Sequence, residues 1–286
     1  SNTLHIDTGV ALFAICTTQL RPIHSASNHN TPLNSAKAFD LTLVDENGQT
    51  YLPLIDSTDK NQPNNSFKQE IVQSGHFTSP NGTVFCKFTS TLTFYANASL
   101  VKWKLCIHNP NAAMHYGGLW DLGDPGSILF DSLSLSIAHI SNAKVCIQVD
   151  EQSDWQECGT HSSIYQGGSG GKHWNSRNHI NRFGTNPITQ RGFTYTTNNK
   201  KTSGDRANPI IHSNAGISVY LDNFWQNFPK AFTADNQNIV IEFFPKRFED
   251  TFELQGGEKK THTTYLEFSD DKEALSWARH PLITTL

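Results

Sequence analysis

The sequence predicts an all-β fold, a large antiparallel β-sandwich with few short helices. Aromatic residues are frequent, with 18 Phe, 7 Tyr and 6 Trp in 286 residues, while charged residues make up only 17%. That mixture, together with abundant Thr and Asn, suits pleated strands joined by polar turns and argues against a helical bundle. Sandwiches often reach about 200–250 residues as one unit, so residues 1–286 are expected to form a single domain.

Strand-like runs recur along the whole chain. Each run concentrates apolar, β-branched and aromatic residues, often in alternation with polar ones, which is the period of a half-buried strand. The runs cover residues 4–16, 39–44, 67–72, 83–95, 100–107, 127–137, 144–149, 192–197, 217–221, 239–244 and 261–268.

Turn and cap signals separate these runs. Asn47-Gly48 and Asn81-Gly82 each lie between two of them, where a tight hairpin turn is expected with positive φ at both positions. One short helix is expected over residues 270–280, with Ser269 as its cap.

Cysteine spacing and hydropathy exclude several classes of protein. The five cysteines are odd in number and form no C-x-x-C pair, so buried free thiols are expected rather than a disulfide framework or a zinc site. No run of about 18 apolar residues occurs, so no helical membrane span is expected. We also expect no metal and no cofactor.

Positive charge is concentrated in one segment. Residues 171–206 hold seven cationic residues and the single acid Asp205, a net charge of +6 in a chain whose total is −4. This favours an anionic partner, and a solvated loop paired with acids elsewhere is an equal alternative. The irregular stretch 160–208 is too long for an incidental loop, so we expect an ordered segment that carries function. It lacks a nucleic-acid-binding signature, so no such partner is expected.

A glycine-rich loop at residues 115–127 is the first candidate site. Trp120 offers a flat face of the kind on which sugars stack, while Asp121 and Asp124 could bind hydroxyls, bind a cation or act as acid and base. The spacing of the two acids does not fit a calcium loop. The structural alternative is a rigid turn with residues 124–126 at its corner.

The second candidate site is the segment 167–182, which begins with a glycine run. It is not a P-loop, because the G-x-x-x-x-G-K-[ST] spacing is absent. Arginine can bind a carboxylate through two parallel hydrogen bonds, and histidine titrates near neutral pH. The cationic, imidazole and indole side chains of this segment therefore suit recognition of an acidic sugar. The substrate-binding candidates are Lys172, His173, Trp174, Arg177 and Arg182, and the catalytic candidate is His179, which could equally only orient the loop.

The third motif is aromatic and covers residues 224–230. We interpret Phe224 and Phe228 as core residues, because aromatic side chains are more often core than ligand platforms. Trp225 remains a binding candidate and Lys230 a catalytic one.

The fourth motif, residues 253–262, leads into the last predicted strand. Glu258, Lys259 and His262 could approach a cleft there, Glu258 as a binding candidate and His262 as a catalytic one. Lys259 and Lys260 could equally be solvated.

Four segments carry a resemblance to a known family. They read GGLWDLGDPGS at residues 117–127, GGxxW with a following NH at residues 170–179, FWQNFPKAF at residues 224–232 and LQGGEKKTH at residues 254–262. In this order they resemble the central β-sandwich domain of exo-rhamnogalacturonan-lyase-like proteins, a polysaccharide lyase family. The resemblance implies a galactose-mutarotase-like supersandwich. It also implies that the chain is a piece of a longer protein, with a helical toroid catalytic domain following it.

The resemblance further implies a β-elimination on an acidic glycan. In such a lyase a cation or amide neutralises the uronate carboxylate, a base removes the proton beside it, and an acid assists the departing sugar. The expected partners are therefore an acidic oligosaccharide or polysaccharide and the adjacent catalytic domain, for which this domain would line the cleft. The alternatives are a stand-alone lyase and a non-catalytic carbohydrate-binding module. An extracellular or periplasmic location is favoured over a cytoplasmic one.

Overall fold

The computed structural model describes residues 2–28, 31–32, 38–65, 67–118, 122–138, 143–198, 200–235 and 237–280. Within these ranges it contains 21 strands and three short 3-10 turns, at Tyr116–Gly118, Arg177–His179 and Ser276–Arg279. All of the strand pairings between them are antiparallel. The expected all-β class with few short helices is thereby confirmed.

A small sheet is formed first along the chain. It contains four strands in sequence order: β1 (Thr3–Asp7), β2 (Leu12–Cys16), β3 (Ser25–Asn28) and β4 (Thr31–Pro32). The run predicted over residues 4–16 is therefore a hairpin of two strands, because Gly9 adopts a φ of 91° between them.

The remaining strands build two large sheets. Their bounds are β5 (Ala38–Asp45), β6 (Thr50–Asn65), β7 (Lys68–Thr78), β8 (Val84–Tyr95), β9 (Leu100–His108), β10 (Ile128–Ala138), β11 (Val145–Gln148), β12 (Gln156–Glu157), β13 (His161–Gln166), β14 (Phe193–Thr197), β15 (Lys200–Gly204), β16 (Ile210–Ser213), β17 (Ile217–Leu221), β18 (Lys230–Asp235), β19 (Asn238–Phe244), β20 (Phe252–Leu254) and β21 (Lys259–Glu267).

Strand order differs from chain order in both large sheets. The first sheet runs β6–β7–β8–β9–β21–β17–β16–β11–β12. The second runs β5–β10–β19–β18–β13–β14–β15, and β20 pairs with the first residues of β10. A short pairing of β5 with β6 links the two sheets at one side.

The two large sheets pack on each other through aromatic side chains. Trp103 of β9 meets Phe243 of β19 edge to face, with ring centroids 5.8 Å apart, and its indole Nε1 donates to the hydroxyl of Ser90 at 2.9 Å. Both rings are fully buried. Removing a side chain of this size from water contributes about 1.5–3 kcal/mol. The many Phe residues of the sequence thus fill the interior of a sandwich.

The two Asn-Gly turns form hairpins with a different local geometry from the one expected. In each, the glycine amide donates to the carbonyl three residues earlier, at 3.0 Å for Gly48 and 2.9 Å for Gly82. Only the glycines have positive φ, 80° and 86°, so the expectation of positive φ at Asn47 and Asn81 as well was wrong. These are three-residue loops, in which the last position alone is left-handed.

The helix expected over residues 270–280 does not form. Only the 3-10 turn at Ser276–Arg279 is present, after a turn of residues 272–275. Arg279 is buried and its guanidinium donates to the carbonyl oxygens of Asn208 and Gln148 at 2.8 and 3.1 Å. These tertiary bonds hold the segment against the first sheet, where short-range helical bonds alone would be marginal.

The stretch 160–208 is ordered, but it is not irregular throughout. It contains β13, β14 and β15, and its longest part without strands is residues 167–192. The glycine run there allows backbone to pack on backbone. A Cβ at Gly170, where φ is 70°, would lie 2.1 Å from the carbonyl oxygen of Asp205, and one at Gly168 would lie 2.3 Å from that of Gln190.

The cysteines are free thiols within or just beyond strands β2, β8, β9, β11 and β12, and two of them, Cys86 and Cys158, are buried. Across the described ranges, no helix has the length and apolar character needed to cross a membrane.

Candidate functional site

One groove brings together all three of the predicted catalytic residues. It consists of two adjoining cavities of about 390 and 440 Å³. We call the smaller one, which His179 and Arg182 line, the loop cavity, and the larger one, which Lys230 and His262 line, the strand cavity. The wall shared by both consists of Phe228, Pro229, Phe252, Glu253 and Lys260.

The groove lies where the chain crosses from one large sheet to the other. Strand β20 belongs to the second sheet and β21 to the first, and residues 255–258 form the turn between them. Buried Asn109 holds this turn in place. Its side-chain amide donates to the carbonyl of Leu254 at 2.9 Å, its backbone amide donates to that of Glu258 at 3.1 Å, and its carbonyl accepts from the amide of Gly257 at 3.0 Å.

Lys230 is a buried lysine that forms no ion pair among the described residues. It is only 3% exposed, its Nζ donates to the carbonyl of Pro229 at 3.2 Å, and Nζ also lies 4.9 Å from the centre of the Phe244 ring. Loss of solvation lowers the pKa of Lys230 to about 7, and the positive charge of Lys260 adds to this effect. A substantial part of the Lys230 amines is therefore uncharged at neutral pH.

His262 occupies the wall beside Lys230. Its ring lies against Phe243 and Phe244, each at 5.1 Å between centroids, and its buried Nε2 has no hydrogen-bond partner among the described residues. Burial is the main cause that lowers the pKa of His262 well below its usual value of 6.5, and the charges of Lys230 and Lys260 lower it further. The imidazole is thus neutral near pH 7.

Glu253 supplies the carboxylate of the groove. One oxygen, Oε1, accepts from the amide of Gly123 and the hydroxyl of Ser127, both at 2.7 Å. The other oxygen is buried and has no hydrogen-bond partner in the described part of the chain. Glu253 therefore links the glycine-rich loop to the groove, and it was not among the residues predicted for the site.

The loop cavity is shaped by residues 178–188. The side-chain oxygen of Asn181 accepts from the amides of Phe183 and Thr185, which closes a tight turn. The amide group of Asn181 donates to Asp250 at 2.7 Å, and the Arg182 guanidinium pairs with the same carboxylate at 3.5 Å. Arg182 therefore lines the groove already bound to an acid.

His179 closes the loop cavity on its other side. Its ring meets Phe228 edge to face, with centroids 5.4 Å apart. Phe228 is thus half-buried and faces the groove, unlike Phe224, which is fully buried and stacked on Phe232. The interpretation of both Phe224 and Phe228 as core residues holds only for the first.

Four predicted binding residues of the second motif do not line the groove. Lys172, His173 and Arg177 are exposed, and Trp174 is half-buried. The basic segment is also partly neutralised, because Arg191 pairs with Asp205 at 3.0 Å.

The remaining candidates have other partners. The Asp124 carboxylate accepts from the amides of Met114, His115 and Gly126, which matches the rigid-turn alternative, and the bond from His115 is the main cause that lowers its pKa. Trp225 lies under the Arg206 guanidinium, at 4.2 Å from the ring centre.

Glu258 pairs with Lys260 at 2.6 Å. The candidates Trp120 and Asp121 lie outside the described residues.

Sequence reasoning missed several residues of the groove. Lys260 was interpreted only as a possible solvated residue, and Asp250 of the loop cavity and Phe244 of the strand cavity were not selected.

The groove combines an unpaired amine, a neutral imidazole and a carboxylate on largely apolar walls. Such a set can bind an anion and can exchange protons near neutral pH. Among the described residues, no group of three or more His, Cys, Asp or Glu side chains is placed to hold a metal ion.

The fold is similar to several solved structures at low sequence identity. A TPR-domain containing protein from Parabacteroides distasonis matches with a TM-score of 0.51 and 10% identity, over 99% of this chain and 49% of that one. Slr1438 protein from Synechocystis matches with a TM-score of 0.50 and 7% identity, over 94% and 96% of the two chains. The GH36 α-galactosidase AgaB from Geobacillus stearothermophilus matches with a TM-score of 0.50 and 10% identity, over 94% and 40%.

These likenesses concern the fold. Together with the strand pairings, they confirm the predicted large antiparallel β-sandwich. The chain spans about half the length of the Parabacteroides protein and 40% of the α-galactosidase. No family model matches the chain, and no curated protein matches it.

Proposed function

We propose that this domain binds an acidic oligosaccharide in the groove, as the sandwich domain of a polysaccharide-lyase-like protein acting on rhamnogalacturonan-type glycans. The observation that carries the proposal is Lys230, a buried amine in the wall of an open cavity that has no acidic partner within the described part of the chain. The adjacent catalytic domain and a location outside the cytoplasm belong to the same proposal, on the resemblance given above.

A carboxylate ligand would supply the partner that Lys230 lacks. A buried ammonium group without a counter-charge is unstable, so an anion that enters the strand cavity is favoured there over water. A charge-assisted hydrogen bond of this kind contributes about 1.5–3 kcal/mol. Lys260 lines both cavities and adds positive charge to the same region.

The walls next to these charges suit a sugar ring. Phe228 and Phe252 belong to both cavities, and Phe248 lines the loop cavity. Aromatic faces pack against the C–H faces of a pyranose, while the amides of Asn178 and Asn227 can bond its hydroxyls. The named activity of the α-galactosidase that shares this fold supports a glycan ligand, by fold-level analogy.

Calorimetry with matched oligomers of galacturonate and galactose tests the proposal. Lys230→Met should weaken galacturonate binding about ten- to a hundredfold, which corresponds to about 1.4–2.8 kcal/mol, and leave galactose binding nearly unchanged. Lys104→Met is the matched control, because Lys104 is exposed on β9 outside the groove. Equal affinity for both oligomers in the wild type would refute the proposal. A larger effect of Arg177→Ala than of Lys230→Met would instead locate binding in the basic loop.

A second candidate function is β-elimination in the groove itself. The observation that favours it is the pKa of Lys230, about 7, which leaves an uncharged amine able to take the proton beside a uronate carboxylate. Lys260, which pairs with Glu258 in the free protein, would exchange that partner for the uronate carboxylate and neutralise it. Turnover is followed as absorbance of the unsaturated product. Activity in the wild type and in Lys104→Met, but none in Lys230→Met, would establish this function, whereas an inactive wild type supports a domain that only binds.

A further inference from the structure

We propose that Lys230 forms a reversible imine with carbonyl-bearing ligands that enter the strand cavity, such as the open-chain aldehyde of a reducing sugar. This covalent site is additional to the binding of an acidic oligosaccharide and does not depend on it.

The position of Lys230 provides the first argument. It lies at the start of β18 and lines the wall of the 440 Å³ cavity, with 3% of its surface exposed. Among the described residues, its Nζ donates to a backbone carbonyl and lies over the face of Phe244, and no acid pairs with it. The amine is therefore held in place, but not by a carboxylate that would keep it protonated.

The protonation state of Lys230 provides the second argument. Only an uncharged amine has the lone pair that attacks a carbonyl carbon, and burial that lowers the pKa of Lys230 to about 7 supplies it at neutral pH. An exposed lysine, with a pKa near 10.4, is uncharged roughly a thousandfold less often at pH 7.

The reaction balances with the groups present. The Nζ lone pair forms a C–N bond to the carbonyl carbon, the carbonyl oxygen takes up a proton, and the nitrogen loses one, which gives a carbinolamine. Loss of the hydroxyl group with one proton, as water, then leaves the C=N bond. Nε2 of His262 and one carboxylate oxygen of Glu253 are both buried, and neither has a hydrogen-bond partner among the described residues. Both line the cavity and are suited to carry these protons.

Lys260 is the charged neighbour that acts on the protonation of Lys230. Its positive charge disfavours a protonated amine, as the direction of the Lys230 pKa shows, and burial acts in the same direction. Glu253 also lines the strand cavity, so its carboxylate would be the acidic neighbour of a positively charged iminium formed there.

Reductive trapping tests this proposal in the intact protein. The protein is incubated at pH 7 with glycolaldehyde and cyanoborohydride, which reduces an imine to a stable secondary amine, and each lysine is quantified by peptide mass spectrometry. Lys230 should be labelled at least about ten times faster than exposed Lys104, a smaller factor than the difference in uncharged fraction because nucleophilicity falls with basicity. In urea the preference should vanish.

Two further measurements make the result decisive. Lys230→Arg keeps a cation but has no primary amine, so the fast label should disappear from its peptide and not move to Lys260. Labelling of Lys230 that is no faster than that of Lys104, or fast labelling that persists in urea, would overturn the proposal. Binding of galacturonate oligomers is measured separately. If Lys230 is trapped selectively but these oligomers do not bind, the imine proposal stands and only the proposed binding of acidic sugars is refuted.

Discussion

Replacing Lys230 by methionine should stabilise the domain, and the gain should depend on pH. Methionine has a similar length, needs no solvation and conserves volume, so packing changes by less than about 1.5 kcal/mol. The folded state binds the Lys230 proton with a pKa of about 7, whereas the unfolded chain binds it with the ordinary lysine pKa of 10.5. Because the unfolded state holds this proton more tightly, the lysine destabilises the fold at low pH.

The size of the effect follows from the two pKa values. Below pH 7 both states are protonated and the penalty is fully present. It decreases as the pH rises from 7 to 10.5 and is absent above that range. At about 1.36 kcal/mol for each pKa unit, the penalty is about 3–5 kcal/mol in the free energy of unfolding. Between about pH 7.5 and 10, the difference between variant and wild type should shrink by about 1.4 kcal/mol per pH unit.

Urea unfolding between pH 6 and 10 measures this difference. Lys104→Met serves as the control, since substitution of an exposed residue should change stability by less than about 0.5 kcal/mol at every pH. A difference between Lys230→Met and wild type that stays constant with pH would refute the reasoning, because it would show that Lys230 is charged in the folded state throughout. A variant less stable than wild type at pH 6 would refute it as well.

Three other substitutions test the packing of the fold. Burial lowers the pKa of His262 well below 6.5, so the unfolded state takes up the proton first and the wild type loses stability as the pH drops through 6. His262→Phe should remove this loss, as measured by urea unfolding at pH 5 and 7. An unchanged pH dependence of stability in the variant would contradict the prediction. Trp103→Ala should cost about 3–5 kcal/mol by urea unfolding, since the indole is fully buried between the sheets, and a cost under about 1 kcal/mol would show that the sheets are not packed there. Gly170→Ala should lower the melting temperature, because the added Cβ would lie 2.1 Å from the carbonyl oxygen of Asp205 at a φ of 70°. Gly184→Ala is the control: it meets only the backbone strain of its φ of 74°, so its melting temperature should fall by less.

Local patterns in the sequence predicted most strands but not their partners. The alternation in residues 84–95 and 100–108 is visible without a structure, because one face of each strand is buried. Strands such as β6 and β13 carry polar residues on both faces, so they lack a clear alternation of apolar and polar residues and were not predicted. The helix over residues 270–280 was predicted from caps and charges, and bonds from Arg279 to distant carbonyls override those local signals.

The sequence predicted some of the residues of the candidate site, but it did not predict how they are arranged. Lys230 and His262 were selected because an amine or an imidazole can serve as the base of a β-elimination, and the structure places both in the wall of the strand cavity. Their convergence depends on β18 and β21 reaching the same end of different sheets, which no local pattern encodes. Glu253 was not selected, since a single acid between Phe252 and Leu254 has the appearance of an ordinary solvent-facing position.

The turn that Asn109 holds has a consequence for how the groove meets a ligand. Two backbone hydrogen bonds and one side-chain hydrogen bond of Asn109 fix the crossing from β20 to β21, so two walls of the strand cavity keep their spacing without a ligand. A pre-organised cavity loses little conformational entropy when it is filled, and affinity then depends on fit and desolvation. Ligands that differ by a single substituent on the ring should therefore be discriminated by size, because the walls have little freedom to adapt to them.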